Sequence, residues 1–206
     1  MSEQIRFHFD PLCPWCYQTS RWVRQLVELD AVEADWGVFS LELVNAGSEE
    51  SSKKGHSRAA KSLRTVITVR EAAGAYGVGA FYAAVGRRYH EEGQPIDEDA
   101  TIIAALEEVA LDGELLTRAM GDEKTWSAVE AEHTALVTQT RSFGVPTIVL
   151  DGGDGPAIFG PVIRTVPTEK DAVELWRHVS WLARYENFSE LKRDRVEGPD
   201  LPRFPR

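Results

Sequence analysis

The sequence predicts an α/β fold interrupted by an all-helical insertion. Three observations carry this. A strand, helix, strand pattern fills residues 5–44, a proline-poor helical block follows to about Thr140, and two short apolar runs and an amphipathic helix close the chain. At 206 residues the chain can bury one sizeable core.

The elements follow in order. "IRFHFD", Ile5 to Asp10, alternates apolar and polar residues and is stopped by Pro11, as a strand entering a turn. From Pro14, Trp15, Trp22, Val23, Leu26, Val27 and Leu29 recur at spacings of three and four, predicting an amphipathic helix to about Asp30. "VEADWGVFSLELV", Val32 to Val44, is rich in β-branched and aromatic residues and predicts a second strand. The polar stretch Asn45 to Ser57 reads as a mobile surface loop, linker or lid.

Apolar positions at helical spacing then predict helices over Arg58–Ala75, Gly79–Glu91, Asp97–Leu111, Gly113–Met120 and Glu123–Thr140, with Asp97 as a candidate N-cap. "VPTIVL" and "PAIFGPV", separated by "DGGDG", have the composition of a hairpin. A last helix starts from Thr168, with Glu169 and Asp171 in its first turn and Val173, Leu175, Trp176, Val179 and Leu182 on one face. The proline-containing tail beyond it reads as an extended or frayed segment.

A net charge of −10 opposes broad affinity for nucleic acid or anionic lipid. No apolar run approaches the ~18 residues that span a bilayer, and no basic segment followed by an apolar stretch opens the chain. The expectation is a cytoplasmic protein without membrane or nucleic-acid partners.

The chemistry centres on the only two cysteines, Cys13 and Cys16, in "FDPLCPWC". A clip between them would close too short a loop to constrain the unfolded chain. Zinc needs four ligands, and His8, His56, His90, His133 and His178 are isolated in sequence. A redox pair accounts for the position: at a helix N-cap, free backbone N–H groups and the helix dipole favour a Cys13 thiolate, and Cys16 is close enough to resolve a mixed disulfide. Pro14 suits the first helical position. Trp15, on an exposed turn, is a candidate for stacking a planar substrate. Val145-Pro146 is a candidate cis bond presenting backbone beside the cysteines, with an ordinary trans proline at a strand start as the alternative. "GAYGVGAF" lacks the third glycine and the preceding strand of a dinucleotide loop, so no tightly bound cofactor is expected.

With CPWC and Val145-Pro146 placed, the sequence resembles the thioredoxin superfamily, in its DsbA-like branch with a helical insertion. "FDPLCPWC", "TSRW", "SLELVN", "FYAAVGRRYH", "VPTIVL", "FGPV" and "ELKR" resemble, more narrowly, the mycothiol-dependent nitroreductase family of actinobacteria. The resemblance implies a thioredoxin-like domain from residues 1–46 and 141–206 around an inserted helical domain, 47–140. It implies Cys13 as nucleophile and Cys16 as resolving thiol. Pro14, Trp15, Asn45, Val145, Pro146 and Thr147 form the implied substrate-binding set. Mycothiol, or another low-molecular-weight thiol, is the implied reductant, and a disulfide or nitroaromatic the implied substrate. Two departures stand out: Val145 occupies a position where threonine is expected, and the segment after Asn45 is not "N-x-N-R"-like. A homodimer stays open, as do three other functions: a protein disulfide oxidoreductase or isomerase, an isomerase of the hydroxychromene carboxylate type, and a redox sensor without turnover.

Overall fold

The computed structural model describes residues 2–45 and 58–203. The segment expected to be a loop, with His56 and the start of the proposed insertion, lies almost wholly outside these residues.

Four strands, β1 (Glu3–Phe9), β2 (Val32–Val38), β3 (Thr147–Leu150) and β4 (Ala157–Phe159), form one mixed sheet of order β2-β1-β3-β4. β1 runs parallel to β2 from Glu3↔Val32 to Phe9↔Val38, and antiparallel to β3 with His8 opposite Thr147. The parallel pair is joined by α1 (Pro14–Glu28), the crossover that a parallel connection requires. β3 and β4 are the expected hairpin, turned through Asp151, Gly152 and Gly153, all at positive φ.

α1 buries Trp22, Val23 and Leu26, while Val27, counted on the same face from the sequence, is exposed. Trp22 packs against Trp176 of α7 (Glu169–Arg184), and its indole N–H donates to Ala172 O at 3.1 Å. Thr168 caps α7 by accepting from Asp171 N–H.

The helical block comprises α3 (Ala60–His90), α4 (Asp99–Glu108), α5 (Glu114–Gly121) and α6 (Lys124–Thr140). Two expected helices, Arg58–Ala75 and Gly79–Glu91, are one run of α3, broken only at Gly74 (φ 63°, ψ −161°). That conformation is open to glycine and strained for any L side chain. Glu98, not Asp97, precedes α4, and no side chain caps it; Asp99 in the first turn pairs with Lys61 at 2.5 Å.

The second strand is shorter than expected. β2 ends at Val38, and Leu41–Asn45 forms a short helix, α2. Two acceptors outcompete the β propensity of "SLELV". Ser40 Oγ accepts from Leu43 N–H at 3.3 Å, and the carboxylate of Asp10, at the end of β1, accepts from Leu41 N–H at 2.8 Å.

An aromatic cluster ties the sheet to α3: Phe9 stacks on Tyr82 with centroids 3.8 Å apart, and Phe7 meets Trp36 edge-on at 5.5 Å. Elsewhere, Glu132 of α6 receives Arg6 from β1 at 2.5 Å and Arg70 from α3 at 3.1 Å. Beyond Tyr185 the tail carries neither helix nor strand up to residue 203, yet it is docked. Leu201 is buried, and Asp200 N–H donates to Arg164 O at 2.8 Å.

Candidate active site

β1 delivers the chain to the site and Asp10 ends it. The Asp10 carboxylate is buried, accepting from Leu12 N–H and Leu41 N–H, both at 2.8 Å, while its backbone carbonyl accepts from Cys13 N–H at 3.0 Å. This fixes the turn that places Cys13 at the N-cap of α1, with Pro14 at the first helical position.

The two sulfurs occupy opposite environments. Cys13 Sγ accepts from Cys16 N–H at 3.3 Å and lies 3.7 Å from Val145 O. Its pKa is lowered, first by the Cys16 thiol donating to it and then, against the opposing effect of burial, by the N–H groups of Cys16 and Trp15. Cys16 is fully buried, and burial pushes its thiol well above the ordinary range; its bond to the Cys13 sulfur pushes the same way. Both cysteines are buried, with Cys13 keeping 7% exposure against none for Cys16. Both are free thiols in this structure.

Val145-Pro146 is a cis peptide bond, and Val145 is the residue whose carbonyl faces Cys13 Sγ. Cys13, Pro14, Trp15, Cys16, Val145 and Pro146 thus fall in two segments that meet at the sulfur. Thr147 departs from the expectation that it lines the pocket. Its side chain is fully buried and its hydroxyl donates to Gly144 O at 2.9 Å, so it pins the turn that carries Val145. Asn45 closes α2, its amide donating to Leu41 O at 2.6 Å; Asp10 holds the start of that same helix. Trp15 is half-buried against the core, and the guanidinium of Arg195, from the tail, lies 5.6 Å from its ring centre.

Several residues around the sulfurs were not found from the sequence. Burial raises the Asp10 carboxyl to about 6, only partly offset by its two N–H donors. His90, the last residue of α3, donates from Nε2 to Pro11 O at 2.9 Å and stacks on Tyr17; burial lowers its pKa to about 4, so the ring is neutral. Tyr82, stacked on Phe9, is buried, and burial followed by the cysteine charges raises its phenol. Of these, only Asp10 carries a sequence signal: an acid placed at a strand end directly before a cysteine turn. His8 is neutral too, lowered to about 3 by burial, and faces Gly37, where a Cβ would sit 2.4 Å from the imidazole.

Among the described residues no group of three or more His, Cys, Asp or Glu side chains converges as a metal site. No helix among them is long and apolar enough to cross a membrane.

The model of the Rv2466c-like family, described as mycothiol-dependent nitroreductase Rv2466c, matches residues 12–193. The chain belongs to this family. That places its chemistry in thiol–disulfide oxidoreduction, in keeping with two free thiols at a helix start. Among relatives of this chain is the uncharacterised protein Rv2286c of Mycobacterium tuberculosis, 32% identical over 191 residues, covering 92% of this chain and 81% of the relative. The fold is that of the DsbA-like thioredoxin-fold oxidoreductases. The cytosolic disulfide reductase DsbM from Pseudomonas aeruginosa superposes with a TM-score of 0.63 at 17% identity, covering 87% of this chain and 99% of DsbM. A 2-hydroxychromene-2-carboxylate isomerase gives 0.62 at 15% identity, covering 88% and 96%. These structural likenesses speak to the fold alone.

Proposed function

We propose that this protein is a cytoplasmic mycothiol-dependent reductase of disulfides or nitroaromatic compounds, with Cys13 as nucleophile and Cys16 as resolving thiol. The observation that carries this reading is the asymmetry of the pair: an N-capping sulfur with lowered pKa, three residues from a buried thiol with raised pKa.

With a disulfide R–S–S–R, the Cys13 thiolate attacks one sulfur, forming a Cys13–SR bond and releasing RS⁻. Cys16 then loses its proton and attacks Cys13 Sγ, releasing the second RS⁻ and closing the Cys13–Cys16 disulfide. The dithiol has given up two electrons. Two mycothiol molecules return them by the same exchange in reverse, leaving mycothiol disulfide. With a nitro group the dithiol supplies two electrons and two protons, giving a nitroso product and water. Asp10, ionising at about 6 beside the sulfurs, is suited to take the Cys16 proton. Val145, Pro146 and Trp15 border the attacking sulfur, and the helices of the proposed insertion wall the site.

The test is reduction of the Cys13–Cys16 disulfide by mycothiol, glutathione and thioredoxin in parallel. The expected result is a mycothiol preference, and Cys13→Ser, which cannot form the disulfide, is expected to show no thiol-dependent turnover of a disulfide or nitroaromatic substrate. Equal rates with thioredoxin, or thiol-dependent turnover by Cys13→Ser, would overturn the reading.

A further inference from the structure

The tail beyond α7 is anchored immediately after the point where it passes Trp15. Glu197 pairs with Arg164 Nε at 2.6 Å, and Asp200 N–H donates to Arg164 O at 2.8 Å. Gln18 of α1 donates to that same carbonyl at 2.7 Å. Leu201 is buried, and the Arg203 guanidinium donates to Tyr89 O while lying 4.1 Å from the Tyr89 ring centre. The tail is therefore fastened to Arg164, which Gln18 also holds, and to Tyr89 of α3, and Arg195 lies over Trp15, one of the two residues between the cysteines. No carboxylate among the described residues pairs with the Arg195 guanidinium. It lies just beyond residues 12–193, the part matched by the family model.

A guanidinium held against an indole face is oriented without having its N–H donors used up. Those donors form a planar fork suited to two oxygens on one atom. The backbone N–H of Trp15 is among the donors that lower the Cys13 pKa, which places this residue in the turn around the sulfur. An aromatic reactant bearing a carboxylate, presented to Cys13, is thus brought beside Trp15 and the guanidinium held on its ring.

We propose that Arg195, positioned by Trp15, is a specificity-determining residue that selects aromatic substrates carrying a carboxylate. The proposal rests on the reading of Cys13 as nucleophile. The test keeps the two separable by using two aromatic disulfides of different charge, 5,5′-dithiobis(2-nitrobenzoate) and the neutral 4,4′-dithiodipyridine. In each, Cys13 forms a mixed disulfide and releases one aromatic thiolate, and Cys16 then releases the second, so both report on the same sulfur chemistry.

Stopped-flow rates of the reduced full-length protein give an anionic-to-neutral ratio for each variant. A charge-assisted hydrogen bond held in a partly exposed site corresponds to about a five- to tenfold effect. Arg195→Gln is expected to lower the ratio by that factor and Arg195→Glu by more. Arg195→Lys restores part of it, and Arg193→Gln, the same charge change two residues away, leaves it at the wild-type value. An unchanged ratio in Arg195→Gln, or the same fall in Arg193→Gln, overturns the assignment of Arg195 and leaves the redox pair standing. Absence of reaction with both disulfides in the wild-type protein overturns the redox reading, and the proposal with it.

Discussion

Replacing Asp10 by asparagine isolates the energetic consequence of a carboxylate buried beside two thiols. The carboxyl is 1% exposed and its pKa is raised from 3.8 to about 6, with burial the largest cause and the N–H groups of Leu41 and Leu12 opposing it. Because the folded value lies above the unfolded one, the native state binds more protons between these limits. Asp10 therefore contributes most to stability below pH 3.8, and this contribution is lost as pH rises through 6. At ~1.4 kcal/mol per pKa unit the loss amounts to about 3 kcal/mol. Asparagine has nearly the same shape and does not titrate. The stability of the reduced wild-type protein minus that of Asp10→Asn is thus expected to fall by about 2 kcal/mol from pH 4 to pH 7, part of the loss having occurred by pH 4, read from urea denaturation at a series of pH values. Contributions common to both proteins, His8 and His90 included, cancel. A difference that stays flat or rises with pH would refute the argument, because it would mean that the two N–H donors outweigh burial. The same variant removes a negative charge that opposes ionisation of both sulfurs, so the Cys13 thiolate, followed by its absorbance at 240 nm, should form at lower pH.

Two further outcomes follow from the same structure. His90 is held neutral with a pKa of about 4, below its ordinary 6.5, so its contribution is complete above pH 6.5 and lost as pH falls through 4; His90→Gln, which keeps a donor for Pro11 O, should flatten the acid-side loss of stability by about 3 kcal/mol in urea titrations. Gly74→Ala should destabilise by about 1–3 kcal/mol and lower Tm, because φ is 63° there while nothing lies within 4 Å of an added Cβ, making the cost one of backbone conformation alone.

The features legible in the sequence are those fixed within a turn or two. Alternation gives β1, three-and-four spacing gives α1, and a cysteine before a proline at a helix start predicts the N-cap that the structure has. What was missed depends on partners distant in the chain. "SLELV" reads as strand until the Asp10 carboxylate, 31 residues away, takes the N–H of Leu41 and helps start a helix. Val27 falls on the apolar spacing of α1 but is left in solvent. Thr147 stands beside Pro146 and so looked like a pocket residue; strand alternation and its bond to Gly144 turn its side chain inward. Arg195 over Trp15 joins residues from opposite ends of the chain. No local pattern announces such a pair, because the tail is held by contacts with the 161–164 segment and α3 and not by any element of its own.

The division of labour between two identical side chains follows from their places on one helix. At the N-cap, Cys13 precedes the helical N–H groups, so its sulfur collects donors that have no intrahelical acceptor, and the residue keeps 7% exposure. Three residues later, Cys16 lies on the face that also carries Trp22, Val23 and Leu26 into the core, so the same thiol loses all solvent and resists ionisation. The exchange proposed for this pair needs that difference in one order only: the less buried thiolate attacks first, and the fully buried thiol becomes a good nucleophile only once a mixed disulfide has removed the charge beside it. The bond between the sulfurs couples the two steps. While Cys13 is a thiolate it holds the Cys16 proton; when Cys13 becomes part of a disulfide that acceptor is gone, and the nearby acid that ionises at about 6 is Asp10. In the proposed exchange, the buried carboxylate that costs stability near neutral pH is therefore also the acceptor suited to the Cys16 proton in the second step.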